Sequence, residues 1–274
     1  MSEIEKAVVL AAGMGTRMQK AVDDERLAPH QREAAQRGHK ALMPLDSQRF
    51  FLDHVLTALA DAGCRRVCLV VSPLHPAIRR RYEHDIQPRR LRIEFALQDK
   101  PLGTADAVAS AEAFAGDDEF LVINSDNYYP VAPLEALRKA GGPGLVAFER
   151  QALIERSNIP DDRIARFAVV TCDPAGGLER IVEKPDPATL ERIGPRVYVS
   201  MNCWRLDRSI FQAARLITLS PRGELELPAA VEYSMSELGT RYRVLPFAEP
   251  VLDLSSRGDV EAVARRLADK AVRL

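Results

Sequence analysis

Only four cysteines, Cys64, Cys68, Cys172 and Cys203, occur in 274 residues, and they form neither a CxxC pair nor a Cys/His spacing suited to zinc. A disulfide framework and a structural zinc site are thereby excluded, and free core thiols in reducing surroundings are expected. No apolar run approaches the roughly 18 residues of a membrane span. The apolar stretch that ends at Gly13 is too brief for a secretory signal. The expectation is a soluble, cytoplasmic protein. An excess of one charge is also missing: 38 Lys and Arg stand against 39 Asp and Glu, a formal net charge of -1. That balance gives no electrostatic reason for a nucleic-acid or anionic-membrane partner. Aromatics make up 6% of the chain and tryptophan occurs once, so no stacking pattern accompanies the basic residues Arg79, Arg80, Arg81, Arg89, Arg90 and Arg92. Glu83 and Asp85 interrupt them, and the run reads as a solvated face. Repeats and low-complexity tracts are absent, including any hexapeptide β-helix.

What is present is ordinary globular composition, 46% apolar and 28% charged, with length for one or two domains; a single domain over 1–274 is expected. Short β-type runs at 7–10, 66–71, 91–97, 119–124 and 144–148 alternate with helical ones at 51–62 and 104–115. This pattern builds an α/β fold with a mixed, mainly parallel central sheet. AVVLAA and FLVIN are almost wholly apolar, as strands covered on both faces should be. From residue 164 the chain changes character. ARFAVVTCD, the turn Pro174-Ala175-Gly176-Gly177 and LERIVEKP predict a β-hairpin, so 164–205 is expected as a small inserted β-subregion. A strand at 196–205 follows, then helices at 207–216 and 227–238, a strand at 242–246 and a helix from 258. The polar segment 19–38 interrupts the chain after a glycine-rich turn and is expected as a loop insertion, either a flap over a site or a tolerated surface loop.

The strongest chemical signal is LAAGMGTRM at 10–18, leaving the first strand. Gly13 and Gly15 let backbone N-H groups close on an anion, and Arg17 adds a forked cation suited to phosphate oxygens. The loop is neither a dinucleotide fingerprint nor a Walker A loop, because Met18 replaces the third glycine and no Gly-Lys-Ser/Thr follows. Lys40, four residues before Pro44, supplies a second cation. Asp126 stands just past an apolar strand, at the edge where open α/β sheets place ligands. A hard oxygen there suits Mg²⁺ held by one or two carboxylates and substrate phosphates. Asp253, after Val251-Leu252, is either the second carboxylate or a helix cap.

These motifs resemble the sugar-phosphate nucleotidyltransferases, or nucleotide-sugar pyrophosphorylases. The likeness continues in the family's order along nearly the whole chain, through QDKPLGTADAV, Ser125-Asp126-Asn127, Glu183-Lys184-Pro185, RGELEL at 222–227 and Asp253. The resemblance implies a Rossmann-like nucleotidyltransferase fold and transfer of a nucleotidyl group to a sugar phosphate with release of pyrophosphate. A nucleoside triphosphate would lie over Leu10, Ala11, Ala12, Gly13, Gly15 and Thr16, its base meeting Gln98, Gly103 and Thr104. The sugar phosphate would meet Asn127, Ala168, Glu183, Lys184, Ser200 and Asn202. Arg17, Lys40 and Lys184 would neutralise phosphate charge, and Asp126 and Asp253 would hold Mg²⁺.

Gln98 offers an acceptor and a donor that fit the edge of uracil or thymine. GTADAV, however, resembles members that make ADP-glucose, so the base stays open, as does homo-oligomer formation. Two departures alter the sugar site. The family often has Gly-Val-Val on the first hairpin strand, where this chain has Ala168-Val169-Val170, and Asn-x-Gly on the next, where it has Ser200-Met201-Asn202. Ser200 and Asn202, two apart on a strand, should share a face. Two other readings compete. A glycosyltransferase using a nucleotide sugar should carry a DxD motif, which is replaced here by Asn124-Ser125-Asp126, and a silent regulatory subunit should have lost the cations and carboxylates that remain.

Overall fold

The computed structural model describes residues 3–20, 27–74, 76–194 and 196–274. Eleven strands are assigned among them: β1 Lys6–Leu10, β2 Arg66–Val71, β3 Arg92–Leu97, β4 Phe120–Asn124, β5 Asn127–Tyr128, β6 Gly144–Glu149, β7 Val169–Cys172, β8 Leu178–Val182, β9 Tyr198–Leu206, β10 Arg243–Phe247 and β11 Leu252–Asp253. The central sheet runs β10-β6-β9-β4-β1-β2-β3, and β7 joins it through β9 and carries β8. β1 pairs in parallel with β2 and β4, whereas β9 runs antiparallel between β4 and β6. The expected mixed, mainly parallel α/β sheet is present.

Both faces of this sheet are covered, which is why its middle strands contain no polar alternation. Ala7, Val9, Leu69 and Ile123 enter one core, with the helices Phe51–Asp61 and Val131–Lys139. Val8, Cys68, Val70 and Val122 enter the other, with Thr104–Ala109, Ser209–Leu216 and Leu227–Ser236. Successive residues of one strand therefore feed opposite cores. Cys64, Cys68 and Cys203 are buried free thiols, and burial pushes those of Cys64 and Cys68 up to about 12. Cys172 is exposed, against the expectation of a core position.

Other local expectations are corrected. The helix expected over 104–115 breaks at Ser110, whose hydroxyl donates to the Asp106 carbonyl, and resumes as Glu112–Ala115. The basic run is not wholly solvated: Arg81 pairs with buried Asp53 at 2.6 Å and stacks 4.2 Å from the Phe50 ring centroid. The hairpin turns where expected, with the Asp173 carboxylate accepting from the N-H of Ala175 and of Gly177. Of the segment 19–38, residues 21–26 lie outside the described residues. The remainder includes the helix Pro29–Gln36, with Leu27 and Ala35 in the core. Its far end is pinned where Gly38 (φ +72°) packs against Gly15 (φ +60°), so closely that a Cβ on either would strike backbone of the other strand of the turn.

Candidate active site

A cleft of about 560 Å³ opens at the C-terminal edge of β1, β4 and β3. β1 is where strand order reverses, since the chain proceeds from it to β2 and β3 on one side and later places β4 on the other. Open α/β sheets leave a crevice at such a point. Leu10, Ala11, Ala12, Gly13, Gly15 and Thr16 form one wall, Gln98, Gly103 and Thr104 another, and Lys40, Asp126 and Asn202 the floor and rim. These parts come from widely separated stretches of sequence and meet because three parallel strands end side by side.

The second carboxylate arrives by a different device. β5 and β11 form a two-residue antiparallel ladder in which Asp253 lies opposite Asn127, and the Leu254 N-H donates to the Asp126 carbonyl at 2.9 Å. The ladder sets Asp253, 127 positions further along the chain, next to the Asp126 segment, although Asp253 itself does not line the cleft. Lys40 Nζ sits 3.3 Å from Asp126 Oδ2. Asp253 is 3% exposed, and its Oδ1 accepts from Asn127 Nδ2 at 3.0 Å and from Ser255 Oγ at 2.9 Å. Its Oδ2 is buried without a hydrogen-bond donor, although Arg163 Nη2 lies 3.2 Å away. Burial, reinforced by the nearby charge of Asp126, raises the Asp253 carboxyl to about 6. The helix-cap alternative for Asp253 is not what forms, because Asp259 accepts from the Ser255 and Ser256 N-H groups instead.

Several expected residues stand elsewhere. Asn127 is buried, and its amide is spent on Asp253 rather than offered to the cleft. Ala168 is buried in the second core and Ser200 beside it, the Ser200 N-H donating to the Ala168 carbonyl at 2.8 Å. Neither lines the cleft. Ser200 and Asn202 do fall on the same side by alternation, yet β9 takes four residue steps between Trp204 and Ser200 while β6 takes two between Leu145 and Ala147. This bulge lifts Asn202, at φ +54°, into the cleft and leaves Ser200 behind. Tyr129 anchors it by donating to the Met201 carbonyl at 2.6 Å. Arg17, on the short helix Thr16–Lys20, is exposed and outside the cleft lining, as are Glu183 and Lys184 beyond β8. Lys184 holds φ +45°, and desolvation with the like charge of Glu226 raises the Glu183 carboxyl.

Sequence reasoning missed the shell behind Asp253. Asn158 grips its backbone on both sides, accepting from the Asp253 N-H and donating to the carbonyl, and Arg163 is doubly bonded to Asp259 at 2.8 and 2.9 Å. SNIPDDR carries no motif that would announce this. It also missed Asp106, which holds Gln98.

A parallel-sheet crevice with a glycine-rich loop, a lysine and a carboxylate, and a second carboxylate laddered next to them, defines a phosphate-handling α/β protein. The family model described as Nucleotidyl transferase matches residues 6–247, and the chain belongs to that family. It is 24% identical over 231 residues to the UTP-glucose-1-phosphate uridylyltransferase AglF of Haloferax volcanii, covering 83% of this chain and 82% of that protein. It is 30% identical over 213 residues to a mannose-1-phosphate guanyltransferase of Schizosaccharomyces pombe, covering 74% of this chain and 51% of that one. Glucose-1-phosphate thymidylyltransferase of Streptomyces griseus is 27% identical over 228 residues, at 83% and 56% coverage. The chain thus spans about half the length of some curated relatives and four-fifths of another. A UDP-glucose pyrophosphorylase solved with UDP-glucose shares the fold at a TM-score of 0.71 and 16% identity, covering 98% of this chain and all of that one.

Proposed function

We propose that the chain transfers a nucleotidyl group from a nucleoside triphosphate to a sugar or sugar-like phosphate and releases pyrophosphate. The observation that carries this reading is the meeting, in one cleft, of the Gly13-Gly15 loop, Gln98 and the Lys40-Asp126 pair, with Asp253 laddered beside them. The triphosphate lies along the loop from Leu10 to Thr16, where glycine keeps side chains clear of the anion. A phosphate oxygen of the acceptor attacks the α-phosphorus in line, the bond to the leaving pyrophosphate breaks, and no covalent protein intermediate is needed. Lys40, already at the cleft, neutralises charge that develops in that exchange; Arg17 and Lys184 stand outside the cleft lining and join it only if substrate or backbone brings them in.

The residues present fit a divalent cation. Asp126 and Asp253 offer hard oxygens, and Asp253 Oδ2 is a buried acceptor that lacks a donor. Among the described residues no three His, Cys, Asp or Glu side chains assemble a closed metal cage, which suits an ion whose remaining ligands are substrate phosphates and water. Asp126 and Asp253 would hold Mg²⁺, which supplies charge neutralisation at the phosphates. Asn127, Ser255 and Asn158 keep the Asp253 carboxylate in place.

The acceptor meets Asn202 rather than open backbone. A site that pairs a particular hydroxyl rejects analogues lacking it, because its own polar group is left unpaired. Glucose 1-phosphate is therefore expected to be a poor substrate relative to a less usual sugar or cyclitol phosphate. No helix of the described residues is long and apolar enough to cross a membrane. Incubation with nucleoside triphosphates, Mg²⁺ and a panel of sugar phosphates, following pyrophosphate, tests the reading. Release that requires both substrates supports it; no pyrophosphate under any pairing overturns it.

A further inference from the structure

We infer that Asp106 is a positioning residue that decides which nucleobase the cleft accepts, by fixing the orientation of Gln98. The inference rests on the nucleotidyl-transfer reading of the cleft and goes beyond it. Gln98 follows β3, its backbone N-H held by the Val71 carbonyl at 2.9 Å, and its side chain lines the cleft although the residue is only 6% exposed. A carboxamide carries two N-H donors on nitrogen and two lone pairs on oxygen. Here Gln98 Nε2 donates to the Gly103 carbonyl at 2.9 Å and to Asp106 Oδ2 at 2.8 Å. Both partners are acceptors, so turning the amide over would set its carbonyl against two oxygens. Both donors are thus consumed inside the protein. What Gln98 presents to a ligand is Oε1, an acceptor and nothing else.

The arrangement is rigid on both sides. Gly103 holds φ +112° and packs so closely on the Leu225 backbone that a Cβ there would meet it at 2.5 Å. The Ala105 N-H donates to the Leu225 carbonyl and the Leu225 N-H to the Leu102 carbonyl, clamping the turn. Asp106 stands on the first turn of Thr104–Ala109 and does not line the cleft, so it acts on a base only through Gln98.

An acceptor-only contact selects a base that offers a ring N-H. Uracil and thymine do so at N3, between two carbonyls, and guanine does so at N1. Cytosine and adenine present a ring-nitrogen lone pair at the corresponding place, which faces Oε1 as like against like, and their exocyclic amino donors, one position along the same edge, reach Oε1 only if the base slides along that edge. A buried acceptor left without a donor carries its full desolvation penalty. The substrate class is therefore a nucleoside triphosphate whose base has a lactam or imide N-H.

Titration calorimetry with UTP, dTTP, GTP, CTP and ATP in the presence of Mg²⁺ tests this on the full chain. The best binder should be UTP, dTTP or GTP, at least about tenfold tighter than CTP and ATP. Methylating that ring nitrogen, in 3-methyluridine or 1-methylguanosine triphosphate, should weaken the preferred ligand about tenfold or more. In Asp106→Asn the side-chain amide can donate to Gln98 Oε1, freeing the carboxamide to turn. Its preference between ring N-H bases and CTP or ATP should collapse about tenfold, with pyrophosphate affinity and melting temperature unchanged, which a merely structural role would not produce. Tighter binding of CTP or ATP by the wild type, indifference to the methyl group, or full retention of the preference in Asp106→Asn overturns the inference and leaves nucleotidyl transfer standing. Failure of all five nucleotides to bind overturns both. Should Asp106→Asn fail to fold, the methylated nucleotide on wild type decides alone.

Discussion

Asn202 joins backbone geometry to chemistry at a single position. Its φ of +54° lies where glycine is at ease and asparagine is among the few other residues tolerated. That explains why Asn stands where the family pattern has glycine, and it puts a carboxamide into the cleft where the family leaves space. Asn202→Gly should keep stability within about 1 kcal/mol, whereas Asn202→Val should cost about 1–2 kcal/mol because a β-branched side chain opposes left-handed backbone. Thermal melts of the two variants check this. Asn202→Ala should lower kcat/KM for the true acceptor and leave nucleotide affinity alone. Asp253 makes a second prediction at this scale. Its carboxyl is raised from 3.8 to about 6 by burial and by Asp126, so the folded chain binds this proton more tightly than the unfolded chain does. Stability from this group is therefore lost as pH rises from about 4 to about 6, by on the order of 1–3 kcal/mol without a divalent cation. Asp253→Asn should remove that slope, and its melting temperature should gain on wild type across that window. An unchanged gap would show that Asp253 is not desolvated as described. Asp126 and Asp253 were legible as residues; the Arg163, Asn158 and Asp259 shell was not, because single polar side chains in a loop carry no periodicity.

Elements divide by length. The five- and six-residue apolar strands were readable because burial on both faces leaves an unmistakable run. The β5–β11 ladder was not, since two residues cannot display a period, yet it brings the carboxylates together. The β9 bulge escaped for a similar reason: alternation predicts a shared face for Ser200 and Asn202 and says nothing of extra residues. Gly103 marks where the 220–227 segment docks on the cleft wall. Gly103→Ala should destabilise by on the order of 1–3 kcal/mol, and it should also weaken nucleotide binding by displacing the Gln98 acceptor site. Urea unfolding and calorimetry measure the two effects. The segment 19–38 ends at Gly38, which lines the cleft together with the following His39 and Lys40. A nucleoside triphosphate should therefore slow amide exchange in residues 27–40, most strongly toward Lys40. Exchange indifferent to nucleotide would assign the insertion a role unrelated to the cleft.

For the whole molecule, topology does what no single motif can. Parallel strands gather the loop after β1, the turn after β3 and the end of β4, and an antiparallel β9 brings Asn202 to the same edge. The order of motifs in sequence made this fold readable, whereas the separation of Arg17, Glu183 and Lys184 from the cleft was not, because motif order gives sequence neighbours and not distances. The proposed function requires Asp126 and Asp253 to serve nucleotidyl transfer jointly. The most direct measurement is pyrophosphate release from nucleoside triphosphate and sugar phosphate at limiting Mg²⁺ for Asp126→Asn and Asp253→Asn, with circular dichroism to establish folding. Each folded variant should lose at least about a hundredfold in kcat, the scale of removing one preorganised electrostatic contact. Near-wild-type turnover in either folded variant would rule out that joint role.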